Sequence, residues 1–197
     1  PLDFVCHEKV PELLENNGKL IHALIHDINT SKIGERKQKR LSFGVQSSGN
    51  LFKRPEQSFK ILEGALIELI KNYHLRFENM PCEFIHSFPK NIEFSSSWFV
   101  KMQSGGHLSS HIHEDGWISG AVYLAIPKKR NHPDEGAIEL STDGDEYPRM
   151  HNDFPKKTLL PEAGDVIFFP SSVFHRTIPF SSDEERICIA FDLKPAG

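Results

Sequence analysis

The stretch that decides the fold covers residues 105–124 and reads GGHLSSHIHEDGWISGAVYL. Within it, His111 and His113 are two positions apart, and alternate residues of a β-strand project from the same face. Two imidazoles on one face can bind a single metal ion at about 2.0–2.1 Å. The pattern therefore predicts a metal site whose third ligand comes from another part of the fold.

The best candidate for the third ligand is His175, which ends the segment AGDVIFFPSSVFH at residues 163–175. The apolar residues 166–169 are typical of a buried strand, and they are followed by a turn that contains Pro170 and leads to the histidine. Three histidines on one side of a metal leave the opposite positions open. Fe(II) with open positions can bind a chelating cosubstrate and then O₂.

A second choice of ligands is also open at this point. His113-Glu114-Asp115 is itself a His-x-Asp motif, and two histidines with one carboxylate form the facial triad of non-haem iron sites. On that interpretation Asp115 replaces His111, which then lies outside the set of metal ligands.

A cation for an anionic ligand is predicted at Arg186, which follows His175 by eleven residues and begins an apolar segment. Its guanidinium offers a two-pronged hydrogen bond to a carboxylate, which a lysine cannot reproduce. The alternative is that Arg186 only pairs with the acidic residues at 183–185.

The rest of the chain is organised as helices followed by strands. Residues 20–28 and 55–73 carry apolar side chains at helical spacing, whereas later apolar residues alternate. This order predicts an α+β protein whose strands form a sandwich or barrel. We expect a single domain over 1–197, with helical support in 1–80 and a β core in 81–197. The candidate strands are Glu83–Phe88, Glu93–Gln103, Ile118–Ile126, Ala137–Ser141, Val166–Phe169 and Arg186–Leu193.

The composition excludes several functional classes. The 197 residues carry a net charge of −4, which argues against nucleic acid as a partner, because phosphate binding needs a basic surface. No apolar run approaches the ~18 residues of a membrane span, so we expect no membrane partner. Three widely spaced cysteines exclude a disulfide framework and fit a reducing, cytoplasmic location. The first residue is Pro1 rather than Met, as expected of a segment from a longer chain.

Four motifs, taken in order, resemble those of the 2-oxoglutarate and Fe(II)-dependent oxygenases. The motifs are FGVQSSGNLF at 43–52, Trp98 followed by Gly105, His111-x-His113 with Ser119-Gly120-x-x-Tyr123 behind it, and the block from Pro161 to Arg186. The resemblance covers nearly the whole chain. It is strongest to a subgroup of these oxygenases whose members stand alone or follow tetratricopeptide repeats.

This resemblance implies a double-stranded β-helix, a jelly-roll or cupin-like core, with the N-terminal helices packed on one sheet. It implies Fe(II), 2-oxoglutarate as cosubstrate and O₂, in a hydroxylase that couples 2-oxoglutarate decarboxylation to substrate oxidation. It favours His111, His113 and His175 as iron ligands over the choice that includes Asp115. No catalytic residue is implied beyond the metal site.

The resemblance also implies how 2-oxoglutarate is held. Arg186 is expected to bind the distal carboxylate, and Tyr123 to donate its hydroxyl to the same group. Cys188 stands where the superfamily often has a serine, two residues after the arginine, so that secondary hydrogen bond is not expected here.

The substrate side is less defined by the sequence. Trp98, Trp117 and Gln46 are candidates to line it, and the irregular loop at 143–155 is a candidate lid. Val100 stands where the subgroup often has an asparagine, which removes one polar contact. The expected substrate is a small molecule, or a peptide or protein if the chain continues into helical repeats.

Two other classes of protein fit part of this pattern. A cupin-like three-histidine metalloenzyme that does not use 2-oxoglutarate needs the histidines but not Arg186. A non-catalytic β-helix binding module needs neither. The joint presence of three histidines, Arg186 and Tyr123 favours the oxygenase.

Overall fold

The computed structural model describes residues 1–196, which contain ten strands and four α-helices. The helices are α1 (Pro11–Leu14), α2 (Lys19–Thr30), α3 (Gln57–Phe77) and α4 (Glu83–His86). The strands are β1 (Cys6–Lys9), β2 (Glu35–Arg36), β3 (Leu41–Ser47), β4 (Ile92–Leu108), β5 (Ile118–Ala125), β6 (Ile138–Ser141), β7 (Lys156–Leu159), β8 (Asp165–Pro170), β9 (Phe174–Thr177) and β10 (Arg186–Pro195). None of the helices in this part of the chain has the length and apolarity needed to cross a lipid bilayer.

The strands form two antiparallel sheets. The larger sheet has the order β1-β8-β5-β10-β4-β3-β2, and the smaller sheet has the order β7-β6-β9. At β9 the smaller sheet is extended by a backbone pair between His111 and His175. This arrangement confirms the expected α+β fold with a double-stranded β-helix core.

The larger sheet is buried on both faces, which explains why its strands are apolar almost throughout. Successive residues go to opposite faces: Phe99 and Ile187 pack with the helices, whereas Val100 and Cys188 pack toward the smaller sheet. The space between the two sheets is therefore lined by every second residue of these strands.

Helix α3 covers the outer face of the larger sheet. Its buried side chains recur at helical spacing from Phe59 to Phe77, which places one apolar stripe against the sheet. Within that stripe, the Tyr73 ring lies 6.1 Å from the Phe168 ring, and its hydroxyl donates a hydrogen bond to the Phe4 carbonyl at 2.7 Å. The prediction that N-terminal helices pack on one sheet is confirmed.

The first 80 residues contribute three strands as well as helices, which the apolar spacing did not indicate. β1 forms one edge of the larger sheet beside β8, and β2 and β3 form the other edge beside β4. β1 and β2 read CHEK and ER, and such short charged segments carry no alternating apolar pattern. The larger sheet therefore draws on both parts of the chain, and residue 80 does not separate helices from strands.

The prediction of a strand at Glu83–Phe88 was wrong, because this segment begins with helix α4. The backbone amides of His86 and Ser87 donate to the carbonyls of Cys82 and Glu83, at 3.0 and 2.9 Å. Short apolar runs fit a helical turn as well as a strand, so periodicity alone does not distinguish them. The other five predicted strands are confirmed as β4, β5, β6, β8 and β10, and β7 and β9 had not been predicted.

The turn into β8 is fixed by a buried carboxylate. Gly164 has a φ of +94°, and the Asp165 carboxylate that follows accepts a hydrogen bond from the Glu162 backbone amide at 2.8 Å. The same carboxylate pairs with Lys9 at 2.7 Å and with His7 at 2.6 Å, both on β1. Burial alone would raise the pKa of Asp165, but these three partners together hold it below its ordinary value.

We predict that Asp165→Asn lowers the free energy of unfolding at pH 7 by about 2–3 kcal/mol, because it removes a buried charge that pairs with Lys9 and is hydrogen-bonded to His7. The depressed pKa means that the wild-type contribution is fully present above about pH 4 and is lost as the pH falls through the folded-state value. Urea unfolding of both proteins should show a constant difference down to about pH 4 and a smaller one below it. A difference that does not shrink in acid would contradict this account.

Candidate metal centre and anion site

Three histidines meet between the two sheets. His111 and His113 lie in the extended segment after β4, and His175 lies on β9. The backbone amide of His111 donates to His175 at 3.1 Å, and the amide of His175 donates back to His111 at 3.0 Å. The three side chains can each offer one nitrogen within 4.8 Å of the others. Since backbone hydrogen bonds fix two of these positions, the cluster is held by the sheet itself.

Backbone carbonyls set the tautomer of two of these histidines. His111 Nδ1 lies 2.8 Å from the Ser109 carbonyl oxygen, and His175 Nδ1 lies 3.2 Å from the Val173 carbonyl oxygen. A carbonyl can only accept, so Nδ1 carries the proton and donates in each case. The lone pair is then on Nε2, which is the nitrogen left for a metal ion.

A carboxylate orients the third histidine. His113 Nδ1 donates to Asp192 Oδ1 at 2.5 Å, and Asp192 also accepts from the hydroxyls of Ser119 at 2.6 Å and Ser96 at 2.9 Å. Burial alone would raise the pKa of Asp192, but these hydrogen bonds lower it and keep the carboxylate ionised. A histidine that donates to a carboxylate through its outer nitrogen is the usual arrangement around bound metals.

The protonation of the cluster also suits metal binding. Burial is the main cause that lowers the pKa of His111 to about 4 and the pKa of His175 well below its ordinary value. These imidazoles are therefore neutral at physiological pH, as a ligand must be. Asp115 is exposed and is not part of the cluster. The donor set thus fits a divalent transition metal such as Fe(II), held by three imidazoles.

A buried cation lies on the same cavity as the histidines. Arg186 is only 2% exposed, and its Nε donates to the Gly136 carbonyl at 3.0 Å. Its guanidinium carbon lies 5.1 Å from the centre of the Tyr123 ring. Within residues 1–196 no acidic side chain pairs with it, and the neighbouring Glu184 instead accepts from the Lys128 backbone amide at 2.6 Å. The alternative that Arg186 only pairs with residues 183–185 is therefore not what the structure shows.

The cavity between the sheets has a volume of about 240 Å³ and is lined by no acidic side chain of the described chain. Its polar lining consists of histidines, arginines, glutamines, a threonine and a tyrosine, and its apolar lining comes mainly from the larger sheet. The charged lining residues are Arg36, Arg40 and Arg186. Arg40 is paired with Asp145, but Arg36 and Arg186 have no carboxylate partner within residues 1–196, so the cavity favours anionic ligands.

Strand β10 supplies both ends of the site. Arg186, Cys188 and Ala190 line the cavity, and Asp192, the next residue of the same parity, holds His113. Alternate residues of a strand share one face. One strand therefore places the guanidinium and the support of the metal cluster on a single surface.

Two of the three residues predicted on the substrate side line the cavity. Trp98 and Gln46 do so, and the Trp98 ring lies 5.6 Å from the His113 ring. Trp117 does not line the cavity; its ring stacks on Phe84 at 5.6 Å and packs against the helix-facing core. Trp117, a candidate to line the substrate side, is therefore not on the wall of this cavity, because the chain turns before β5 begins.

Sequence reasoning missed Asp192 and the polar residues Arg36, Gln38 and Arg40. Asp192 could have been found, because it has the same parity as Arg186 on a strand that was predicted. The other three belong to the charged segment 35–40, whose composition is typical of a solvated loop, yet they line the cavity. Nothing local in their sequence shows this, since the segment reaches the cavity through the pairing of β3 with β4, which is distant in the sequence.

The comparisons with known proteins agree with this geometry. Residues 96–192 match the family described as "Putative 2OG-Fe(II) oxygenase". That segment contains all three histidines, Tyr123 and Arg186. No curated protein matches the sequence.

Several solved structures share the fold at low sequence identity. A prolyl-4-hydroxylase from Pseudomonas putida has a TM-score of 0.60 at 14% identity, covering 98% of this chain and 93% of its own. HygX from Streptomyces hygroscopicus, solved with nickel and 2-oxoglutarate, has a TM-score of 0.66 at 9% identity, covering 99% and 85%. The viral collagen prolyl hydroxylase of Paramecium Bursaria Chlorella virus-1, solved with 2-oxoglutarate, has a TM-score of 0.61 at 15% identity, covering 98% and 97%.

The two choices of ligands make opposite predictions. We predict that His111→Ala weakens Fe(II) or Co(II) binding by more than about 100-fold, because it removes a direct ligand rather than an outer partner. Asp115→Ala should leave the affinity unchanged. Anaerobic metal titration of both variants decides between them. Loss of metal in the Asp115 variant alone would show that the carboxylate, and not His111, belongs to the ligand set.

The carboxylate behind His113 has its own test. We expect Asp192→Asn to weaken metal binding by about 10- to 100-fold, because an amide neither fixes the tautomer nor carries the charge that makes His113 more basic. Ser96→Ala is the matched control, since it removes one donor to Asp192 but leaves the contact with His113. Equal metal affinity in the asparagine variant and the wild type would show that Asp192 only fills space.

Proposed function

We propose that the chain is a 2-oxoglutarate and Fe(II)-dependent oxygenase, the family that residues 96–192 match, in which His111, His113 and His175 bind the iron and Arg186 binds the cosubstrate. The observation that carries this proposal is the buried guanidinium of Arg186, which has no acidic partner within residues 1–196 and faces the same cavity as the histidines. An unpaired buried charge is costly. A bound dianion offsets that cost, and a three-histidine enzyme that does not use 2-oxoglutarate would not need it.

The oxidative chemistry of such an enzyme comes from the iron and its cosubstrate, which couple decarboxylation of 2-oxoglutarate to succinate with oxidation of the substrate by O₂. The protein binds, orients and shields the reactants. Among the described residues no Asp or Glu side chain lines the cavity, so none is placed there to act as an acid or base.

Arg186 is placed to hold the distal carboxylate of 2-oxoglutarate. Its Nε is used by the Gly136 carbonyl, and its terminal nitrogens have only a long contact of 3.7 Å to Cys188 Sγ. They are therefore free to form a two-pronged hydrogen bond with a carboxylate. Burial raises the pKa of Tyr123, so its hydroxyl stays protonated and can donate to the same group.

The three-histidine set changes the charge of the iron site. A neutral imidazole at His113, in the position of a carboxylate, raises the net positive charge of the centre by one. The anionic cosubstrate should be held more tightly as a result. Asp192 offsets part of this positive charge. Its carboxylate does not bind the metal itself but accepts a hydrogen bond from the ligand His113.

The proposal extends to substrate, boundaries and location. The substrate is a small molecule or a peptide that reaches the cavity beside Trp98 and Gln46. Residues 1–197 act as one oxygenase domain, because strands of the first 80 residues complete the larger sheet. The free cysteines Cys6, Cys82 and Cys188 suit the reducing cytoplasm.

We predict that Arg186→Ala weakens 2-oxoglutarate binding by about 10- to 100-fold, because a hydrogen-bonded ion pair is worth about 1.5–3 kcal/mol. Arg186→Lys should recover only part of this, since an ammonium lacks the planar fork. Tyr123→Phe, a milder change, should cost about fivefold. Anaerobic calorimetry on the Fe(II) protein measures these affinities, and succinate formation reports turnover.

The control for these variants is Arg176→Ala. Arg176 also lies in the β core but is exposed and pairs with Glu139 at 2.9 Å. The Arg176→Ala variant should bind 2-oxoglutarate with the same affinity as the wild type. Unchanged affinity in both Arg186→Ala and Tyr123→Phe would overturn the assignment of the cosubstrate site.

A further inference from the structure

A second guanidinium lines the cavity and is not needed for the cosubstrate. Arg36 is on β2, the edge strand of the larger sheet, and its side chain reaches the cavity. We propose that Arg36 binds a carboxylate of the substrate itself, so that this enzyme oxidises an acidic compound; the inference rests on the proposed oxygenase function. The assignment follows from where Arg36 lies, what holds it and what it lacks.

Arg36 belongs to a row of side chains that crosses the sheet. It pairs in register with Gln46, Gln46 with Val100, Val100 with Cys188, and Cys188 with Tyr123. All five line the cavity. The row therefore joins the edge of the sheet to the cosubstrate end of the site along one continuous surface.

A buried glutamine holds the Arg36 guanidinium in place. With its oxygen facing Arg36, the Gln46 amide accepts from Nη2 at 2.9 Å and from Nε at 3.0 Å. Gln46 is only 3% exposed, so this contact fixes the arginine against the sheet. The hydrogens of Nη1 and the second hydrogen of Nη2 stay available. Together they form the end of the guanidinium that can bind a carboxylate through two hydrogen bonds.

Arg36 has no acidic partner within residues 1–196. The adjacent Glu35 projects to the other face and pairs with Lys101 at 3.4 Å. Arg40, which also lines the cavity, is already paired with Asp145 through Nη2 at 2.8 Å. Within residues 1–196, two arginines of the cavity wall are therefore without a carboxylate: Arg186, which is buried, and Arg36, which is exposed at the edge of the sheet.

The two unpaired arginines enter the cavity from strands that lie at different places in the sheet. β2 and β10 are separated by three strand spacings, which is about 14 Å between backbones. Arg186 lies at the cosubstrate end, whereas the row between them presents Val100, with Trp98 beside His113. A substrate anchored by its carboxylate at Arg36 would lay its apolar part across these side chains toward the histidines.

A neighbouring amide adds a second requirement. Gln38 lines the cavity, and its side-chain oxygen is buried without a hydrogen-bond partner among the described residues. An unpaired buried acceptor calls for a donor on the ligand. A carboxylate beside an N–H group satisfies both residues, as in an N-acyl amino acid or an acidic peptide.

The experiment compares probes that differ only in the carboxylate. N-acetyl-L-leucine and N-acetyl-L-leucinamide test a free terminal acid, and the capped tripeptides Ala-Asp-Ala and Ala-Asn-Ala test an acidic side chain. Binding is measured anaerobically to the Fe(II) and 2-oxoglutarate-loaded protein by calorimetry. We expect one acid to bind at least about tenfold more tightly than its amide, since a charge-assisted hydrogen bond is lost. A difference within the leucine pair indicates a free terminal carboxylate, and a difference within the tripeptide pair indicates an acidic side chain.

Variants of the cavity wall complete the test. Arg36→Gln should abolish the preference for the acid, and Arg36→Lys should restore part of it. Lys37→Gln removes the same charge from the adjacent exposed residue, which does not line the cavity, and should keep the wild-type preference. Binding of neither acid to the wild type, or an unchanged preference in Arg36→Gln, would overturn the proposal.

The 2-oxoglutarate titration of the same samples separates this inference from the proposed function. A wild type that fails to bind Fe(II) and 2-oxoglutarate would reject the oxygenase assignment itself. A wild type that binds both, but does not distinguish acid from amide, would reject only the role of Arg36.

Discussion

The site depends on the place of the last strand, β10, between β4 and β5 in the larger sheet. Because both neighbours hydrogen-bond to it, β10 cannot shift register without turning its alternate residues away from the cavity. Those residues run from Arg186, the buried cation, to Asp192, which orients His113. The smaller sheet then closes over them through the backbone pair of His111 and His175. One strand thus fixes the spacing between the metal cluster and the anion site.

The positive charge of the cavity wall favours the binding of anionic ligands and does not stabilise the fold. The chain as a whole carries a net charge of −4, yet the described residues line its cavity with three arginines and no carboxylate. Burying Arg186 without a partner costs free energy, and a tightly packed apolar residue there would stabilise the fold better. The arrangement is consistent with a site completed by anions: one cosubstrate at Arg186 and, in our proposal, one substrate carboxylate at Arg36.

Much of this site could be predicted from local sequence, because the histidine pair, His175 and Arg186 follow patterns that one strand or turn imposes. The residues that were missed depend on contacts between distant segments. Arg36 pairs with Gln46 on the adjacent strand β3, and it reaches the cavity because β3 pairs with the distant strand β4. The apolar spacing of Glu83–Phe88 fits a helical turn as well as a strand. Trp117 precedes β5, so the alternation of side chains along β5 does not apply to Trp117. Asp192 could have been predicted, because alternate residues of a strand share one face and Asp192 is six residues after Arg186.

The measurement that tests the central claim most directly is an anaerobic titration of the Fe(II)-loaded wild type with 2-oxoglutarate. Chelation of the iron by the cosubstrate gives a visible metal-to-ligand charge-transfer absorption. The account predicts that this band appears and saturates at one equivalent of 2-oxoglutarate per iron. Iron that binds without producing the band would place the three histidines in a metalloenzyme of another kind, and failure to bind iron would leave them a structural cluster.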